Sequence, residues 1–171
     1  MKRKFLFFIN PISGTKNKKR LADLIIKACA KKALTFEIMH TNAEGDYAFL
    51  RNKISTENIT DIVIGGGDGT VSTIVSFLLH TTVNVGIVPQ GSGNGLALAA
   101  GISRNAEKAL ETIFNGKPSS VDGFFVNNTF SCMLSGLGFD AQVAHDFAKQ
   151  KKRGLLTYIM LCFKHFFSSK N

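Results

Sequence analysis

The sequence has few of the residues that build disulfide frameworks or metal sites. Its three cysteines, Cys29, Cys132 and Cys162, form neither a CxxC pair nor an even set. This usage is typical of a reduced, cytosolic chain in which cysteines serve packing. The four histidines show no ligand spacing either. The sequence therefore predicts neither disulfide bonds nor a zinc site.

Long apolar runs are also missing. Residues 5–9 follow three basic residues, as in a secretion signal, but Asn10-Pro11 ends that run after five residues. Residues 155–167 are apolar, yet Lys164 interrupts them and the segment is too short to cross a bilayer. We therefore expect no cleaved leader and no segment that spans a membrane.

Acidic residues are scarce, with 12 Asp and Glu against 21 Lys and Arg and a net charge of +9. The excess predicts an anionic partner. The bases concentrate near the amino terminus and in residues 149–153, without interleaved aromatic residues. This distribution makes a nucleic-acid binder the weakest interpretation.

With 171 residues, of which 44% are hydrophobic, the chain is large enough to bury a core and is not disordered. Strand-like and helix-like segments alternate up to residue 118. This alternation predicts an α/β fold, an open parallel sheet with helices on both faces. The strands are expected at 5–9, 34–40, 61–64 and 83–88, and the helices at 21–29, 48–54, 71–79, 96–100 and 106–114.

The pattern changes after Pro118. Residues 121–126 and 129–134 alternate like strands around Asn127-Asn128, which predicts a hairpin, and helices are expected at 141–149 and 155–167. We therefore divide the chain into an α/β domain, residues 1–118, and the beginning of a β-rich domain, residues 119–171. The last helix is apolar with little to bury it, which suggests a truncated second domain.

Nine of the sixteen glycines lie between Gly65 and Gly101, mostly where the third and fourth strands end. Ligands of open parallel sheets bind at the carboxyl ends of the strands. Glycines let backbone N–H groups approach an anion, and the following helix adds positive potential. Residues 65–70 are therefore predicted to cradle phosphate; the alternative is a pair of tight turns.

Asp68 lies among these glycines, in a loop that is neither a Walker A sequence nor GxGxxG. A carboxylate beside phosphates repels them unless a cation intervenes. Asp68 thus indicates Mg²⁺, bound directly or through water, or proton transfer from a hydroxyl group. As an alternative that is compatible with function, Asp68 caps the next helix.

Five short motifs in order resemble the diacylglycerol kinase catalytic-domain family, which includes bacterial lipid kinases, sphingosine kinases and ceramide kinases. The resemblance covers essentially the whole chain, although each motif alone is weak. The matching segments are Asn10-Pro11-x-Ser13-Gly14, Gly66-Gly67-Asp68-Gly69-Thr70, Pro89-x-Gly91-Ser92-Gly93-Asn94, Gly136-x-Gly138-Phe139-Asp140-Ala141 and Arg153-Gly154, together with Thr41 after the second strand.

The resemblance implies transfer of the γ-phosphoryl group of ATP to a lipid hydroxyl, with Mg²⁺ and a second, β-rich domain. Asp68 would then be the catalytic residue, near Mg²⁺ or the acceptor hydroxyl. Asp140 and Asp146 are the acids nearest the expected lipid side. The residues that would bind the nucleotide are Asn10, Ser13, Thr41, Gly66, Gly67, Gly69, Thr70, Ser92, Asn94 and Arg153.

The expected protein is cytoplasmic and peripherally associated with the inner membrane surface, where its lipid lies; homodimer formation stays open. The sequence departs from the family where Ser72, Thr73 and Gly95 replace Asn, Glu and Asp. These missing acids keep a non-catalytic nucleotide-binding or regulatory module as an alternative. A kinase of the NAD kinase or phosphofructokinase type is another, since it also uses a Gly-Gly-Asp-Gly loop.

Overall fold

The computed structural model describes residues 2–11, 18–133, 136, 138–150 and 154–168. The chain forms two compact units, Met1–Met133 and Leu134–Asn171. The strands of the first unit are β1 Lys4–Ile9, β2 Thr35–His40, β3 Asp61–Gly66, β4 Asn84–Pro89, β5 Phe124–Val126 and β6 Thr129–Ser131. Its helices are α1 Lys18–Lys31, α2 Leu50–Glu57, α3 Asp68–Leu78, α4 Gly95–Ala99 and α5 Ala106–Asn115. The second unit contains α6 Phe139–Ala148 and α7 Leu155–Ser168.

The first four strands form one parallel sheet in the order β2-β1-β3-β4. Strand β1 is central, and its Phe7 pairs with Ile38 on one side and Val63 on the other. Because both neighbouring strands are parallel to β1, helices cover the sheet on both of its faces. The side chains of β1 are buried on both sides, and its sequence is therefore a continuous apolar run. The predicted α/β fold with a parallel sheet is confirmed.

Alternate residues of β1 enter two separate cores, one on each face of the sheet. Leu6 and Phe8 pack with residues of α2, α3 and α4. Phe5, Phe7 and Ile9 pack with residues of α1 and α5. Because strand side chains alternate with a period of two, one short run supplies both cores. The helices therefore lie on both faces, as predicted.

The amino ends of β1 and β3 are joined by a partly buried ion pair. Arg3 binds Asp61 through two nitrogens, at 2.6 and 3.0 Å. The same guanidinium donates to the carbonyl oxygens of Ile113 and Phe114, at 3.1 and 2.9 Å, where α5 ends. Asp61 is 2% exposed. This network fixes α5 to the edge of the sheet opposite the glycine loops.

The hairpin after Pro118 forms, but each strand has only three residues. Asn127 and Asn128 have φ angles of 46° and 65°, which is the conformation of a tight two-residue hairpin turn. Pairing ends where Phe124 meets Ser131. The expected strand at 121–126 is therefore too long, because residues 121–123 have no paired partner strand. The hairpin lies within the first compact unit, and the division at residue 118 stays a prediction.

Helix α7 leaves large apolar side chains exposed, among them Leu156 and Met160 at 78% and 71%. Within the described residues, none of the helices has both the length and the apolar character needed to cross a membrane.

The three cysteines are free, and burial raises the pKa of the Cys29 thiol to about 11. Cys29 thus lies on the buried face of α1 and packs in the core as an apolar residue, as the sequence predicts.

Candidate functional site

The strand order creates a crevice at the carboxyl edge of the sheet. Helix α1 follows β1 and packs on one face, whereas α3 follows β3 and packs on the other. The chain therefore leaves the adjacent strands β1 and β3 in opposite directions. Such a topological switch point is where open α/β sheets bind their ligands. Asn10 and the first glycine loop, residues 65–70, lie at this point.

The first glycine loop is short because α3 begins at Asp68. Gly67, with φ −97° and ψ −178°, is the N-terminal cap residue, and no side chain caps the helix. The alternative in which Asp68 caps the helix is therefore wrong. The expected start of this helix at residue 71 is also wrong, because α3 begins three residues earlier. The first helical N–H groups have no partner within the helix, so they are available to an anion. Asp68 is half-buried beside them.

A side-chain hydrogen bond connects the end of β1 to the first turn of α3. The amide nitrogen of Asn10 donates to the hydroxyl oxygen of Thr70 at 2.7 Å. The backbone N–H of Asn10 also donates to Gly65 O, at 2.9 Å. A Cβ at Gly66 would lie 2.7 Å from the Cβ of Thr70, so only glycine permits this close turn. The predicted Asn10, Gly66 and Thr70 are therefore brought together.

The second glycine loop, residues 91–95, packs directly on the first. A Cβ at Gly91 would lie 2.7 Å from the Cα of Gly67. In addition, the N–H of Gln90 donates to Gly66 O at 2.9 Å. The two loops thus form one structure in which neither glycine tolerates a side chain without backbone movement.

Asn94 holds the second loop by its side chain. Its amide nitrogen donates to Gly91 O at 2.7 Å, and its Oδ1 accepts from the N–H of Gly91 at 2.8 Å. The residue is 4% exposed and has a φ of 61°, a conformation that asparagine tolerates better than most residues. The side chain of Asn94 is therefore used within the loop, whereas its neighbour Ser92 is exposed.

The Asp68 carboxylate lies against the second loop. A Cβ at Gly93 would lie 2.9 Å from Oδ2 of Asp68, and a Cβ at Gly95 would lie 3.8 Å from Oδ1. A side chain at Gly93 would therefore crowd the carboxylate, whereas a Cβ at Gly95 would be in ordinary van der Waals contact with it. Gly69 is exposed, and a Cβ there would meet nothing within 4 Å. The open side of the cradle is therefore at Gly69.

A magnesium site of several carboxylates is not formed by the described part of the chain, which contains no group of three potential ligands. Asp68 is the one carboxylate that the sequence predicts at the glycine loops. One carboxylate fits Mg²⁺, which usually takes one or two from the protein and completes its octahedron with phosphate oxygens and water. Asp68 and the surrounding glycine space thus suit a metal that arrives with a phosphate ligand.

The remaining predicted residues fall into three groups. Thr41 directly follows β2, and its N–H donates to Ile9 O at 3.1 Å, so it lies at the same edge of the sheet. Ser13 and Arg153 lie outside the described residues. Asp140 and Asp146 belong to the second unit, where Asp140 is exposed in the first turn of α6.

Asp146 connects the two helices of the second unit. A ring nitrogen of His165 lies 2.9 Å from its Oδ2, and His145 and Lys149 lie 3.5 and 3.8 Å from its Oδ1. The hydrogen bond from His165, together with the nearby positive charges, holds the pKa of Asp146 below its usual value. Asp146 therefore has a structural partner, which the sequence pattern did not predict.

Arg104 lies at the second loop, although no sequence motif predicts it there. This exposed residue lies just before α5, outside every motif, and its Nη2 donates to Gly93 O at 3.4 Å. Its only sequence signal is a positive charge within ten residues of the second loop. That proximity alone predicts nothing, because the direction of the side chain depends on the turn between α4 and α5.

Comparison with known proteins agrees with this geometry. Residues 4–126 match the model of the diacylglycerol kinase catalytic domain. A crystal structure of a diacylglycerol kinase from Bacillus anthracis superposes with a TM-score of 0.65 and 26% identity, over 75% of this chain and 45% of that one.

Two similar sequences extend the comparison. The chain is 27% identical over 165 residues to the diacylglycerol kinase of Bacillus subtilis, covering 94% of this chain and 54% of that protein. It is 30% identical over 163 residues to the uncharacterized protein sll0036 of Synechocystis sp., covering 88% and 37%. The chain thus spans about half, or less, of the length of these relatives.

Proposed function

Since this chain belongs to the diacylglycerol kinase catalytic-domain family, we propose that it is the nucleotide-binding part of an ATP- and Mg²⁺-dependent lipid kinase. The kinase transfers the γ-phosphoryl group of ATP to the hydroxyl group of diacylglycerol or a related lipid. The name of the Bacillus subtilis relative, a diacylglycerol kinase, supports this choice of substrate.

The observation that carries the proposal is the Asn10–Thr70 hydrogen bond of 2.7 Å at the switch point of the sheet. It holds the end of β1 against the first turn of α3, where unpaired N–H groups face the crevice. Gly91 of the second loop packs against Gly67 of the first. The result is a preformed anion cradle of the kind that binds nucleotide phosphates.

In the proposed reaction the protein mainly positions groups and neutralises charge, because phosphoryl transfer needs little covalent help. The N–H groups of Asp68, Gly69 and Thr70 hold phosphate oxygens. The Asp68 carboxylate holds Mg²⁺ or orients the lipid hydroxyl. Mg²⁺, when bound with the nucleotide, neutralises the charge of the phosphate oxygens.

Because its proposed substrate is a membrane lipid, the protein would act at the inner membrane surface as a peripheral, cytoplasmic enzyme. The net charge of +9 supports attraction to anionic lipid headgroups. Apolar side chains exposed on α7, such as Leu156 and Met160, are suited to the apolar part of such a surface.

The test measures phosphatidic acid and ADP formed by the full-length protein from ATP, Mg²⁺ and diacylglycerol in detergent micelles. We expect product from the wild type and a loss of at least about a hundredfold in Asp68→Asn, because a metal-binding or proton-accepting carboxylate is lost. Omitting Mg²⁺ should abolish product as well.

The matched control is Asp23→Asn, which removes an exposed carboxylate in the middle of α1. It should retain the wild-type rate. Full activity of Asp68→Asn would contradict the role of Asp68. Phosphorylation of a soluble acceptor such as NAD, without lipid product, would instead support the small-molecule kinase.

A non-catalytic nucleotide-binding module is the second candidate. It is favoured by the absence of an acidic residue on the exposed face of α3. Thr73 is exposed there, and its hydroxyl donates to Gly69 O at 2.9 Å, at the place where the family carries an acid. Calorimetric titration of ATP and Mg²⁺ separates the two candidates only together with the lipid-kinase assay, because both bind nucleotide and only the kinase transfers phosphate. Nucleotide binding without turnover on any lipid would select this module.

A further inference from the structure

Arg104 reaches back to the second glycine loop from the turn before α5. Its Nη2 lies 3.4 Å from Gly93 O. Gly93 also borders the catalytic carboxylate, since a Cβ there would lie 2.9 Å from Oδ2 of Asp68. The same glycine therefore has a guanidinium group and a carboxylate as neighbours. A positive charge thus lies at the border of the phosphate cradle.

The backbone that carries Arg104 is fixed on both sides. The N–H of Ile102 donates to Ala97 O at 2.8 Å, and the Ile102 side chain packs against both cores. Asn105 caps α5 by accepting from the N–H groups of residues 107 and 108, at 2.9 and 3.2 Å. Anchors within two residues hold the Cα of Arg104 in place, whereas its side chain is exposed.

A second cation beside the cradle, in addition to Mg²⁺, is favourable on electrostatic grounds. Backbone N–H groups supply partial charges only, and Asp68 adds a negative charge beside them. A guanidinium group binds phosphate oxygens through two parallel hydrogen bonds. The long bond to Gly93 O is weak, so Arg104 can exchange it for a phosphate at little cost.

We propose that Arg104 binds the polyphosphate of the nucleotide and neutralises its charge beside Asp68. This inference rests on the proposed function, because it assigns one more binding residue to the same site. It predicts that affinity depends on the charge at position 104 and on the number of phosphates in the ligand.

The experiment titrates the full-length protein with ATP and Mg²⁺, and separately with AMP, by calorimetry. Arg104→Gln keeps a donor for Gly93 O but removes the charge, whereas Arg104→Lys keeps the charge. We expect Arg104→Gln to weaken ATP binding about fivefold to tenfold and AMP binding less than about twofold, because charge-assisted bonds to the outer phosphates are lost. Arg104→Lys should retain most of the ATP affinity.

Arg51→Gln is the matched control. Arg51 is also exposed and donates its Nη2 to a backbone carbonyl, Leu79 O at 3.2 Å, but it lies on α2. This variant should bind ATP like the wild type. Melting temperatures of all the variants, measured without nucleotide, exclude a general loss of folding.

Three outcomes would overturn the inference. Wild-type ATP affinity in Arg104→Gln would show that the charge is not used. An equal loss for ATP and AMP would assign Arg104 to supporting the loop instead. If the wild type itself binds no nucleotide, the proposed function fails and the inference about Arg104 fails with it. In the first two outcomes the wild type still binds nucleotide, so only the inference fails.

Discussion

The amide nitrogen of Asn10 donates to the hydroxyl oxygen of Thr70 at 2.7 Å, although 60 positions separate the two residues in the chain. Asn10 directly follows the central strand, and Thr70 lies in the first turn of α3. The bond exists because β1 and β3 are neighbours in parallel register, which brings their carboxyl ends to one edge. The hydrogen bond thus aligns the cradle with the sheet.

Replacing Thr70 by valine should weaken nucleotide binding, because the Asn10 side chain loses this acceptor while the shape of residue 70 is conserved. We expect a cost of about 1 kcal/mol in the free energy of unfolding and a measurable rise in the Kd for ATP. Urea unfolding and calorimetric titration measure the two effects. The matched control is Thr73→Val, since that exposed hydroxyl bonds to its own helix, at Gly69 O; equal effects in both variants would refute the prediction.

Alanine at two glycines should separate folding from binding. Gly91→Ala forces a Cβ to within 2.7 Å of the Gly67 Cα, so the protein should lose about 1–3 kcal/mol of stability. Gly69→Ala meets nothing within 4 Å and lies in α3, so stability should be unchanged or slightly higher. Its methyl group would nevertheless occupy the open side of the cradle and weaken ATP binding. Thermal unfolding and titration of both variants give the comparison; tight ATP binding by Gly69→Ala would place the nucleotide elsewhere.

Asp61→Asn should destabilise the protein at neutral pH. Burial alone would raise the pKa of Asp61, but hydrogen bonds from Arg3, Thr60 and Asn84, with the charge of Arg3, outweigh burial and lower the pKa below its ordinary value. Breaking a buried pair costs several kcal/mol, and because Arg3 is about one-third exposed we expect about 2 kcal/mol.

The pH dependence of that loss has a defined sign. A lowered pKa in the folded state means that the stabilisation is present above the ordinary aspartate pKa of about 3.9. It is lost as the pH falls through the lower, folded value. Urea unfolding between pH 7 and pH 3 should therefore show the wild type converging on Asp61→Asn in acid. Asp122→Asn, which changes an exposed carboxylate, is the control and should parallel the wild type.

Asp146→Asn should loosen the pair of helices in the second unit. The hydrogen bond from His165, which lowers the pKa of Asp146, crosses from α7 to α6. Hydrogen exchange of the α7 amides should therefore become faster in this variant, and also in the wild type as the pH falls through that lowered pKa. Asp140→Asn, at an exposed position of α6, should leave exchange in α7 unchanged. Unchanged exchange in Asp146→Asn would show that the pair does not hold α7.

Much of the fold could be predicted because it depends on local patterns. The apolar run before Asn10-Pro11 identified the central strand, and Asn127-Asn128 identified the hairpin turn. The predicted bounds are wrong where a strand depends on pairing with another segment. The strand before the hairpin turn begins only at Phe124, because the residues before it have no paired residue on the opposite strand.

The site was predicted in part, for a similar reason. Glycine clusters and the isolated Asp68 indicated a phosphate cradle, since turns that approach an anion exclude Cβ atoms. The side-chain directions were not predictable. Asn94 turns inward to bond Gly91, and Arg104 turns back to Gly93, and no local pattern of the sequence encodes either contact.

The alternation of strands and helices, the two glycine turns and the excess of positive charge can all be derived from the amino-acid sequence alone. These features follow from side-chain periodicity, backbone freedom and composition, which act over a few residues. Three features appear only in the folded chain: β1 lies between β2 and β3, Gly91 packs on Gly67, and Asn10 donates to Thr70. Those contacts join distant segments, and their geometry depends on strand order and register, which are set by how both cores pack at once.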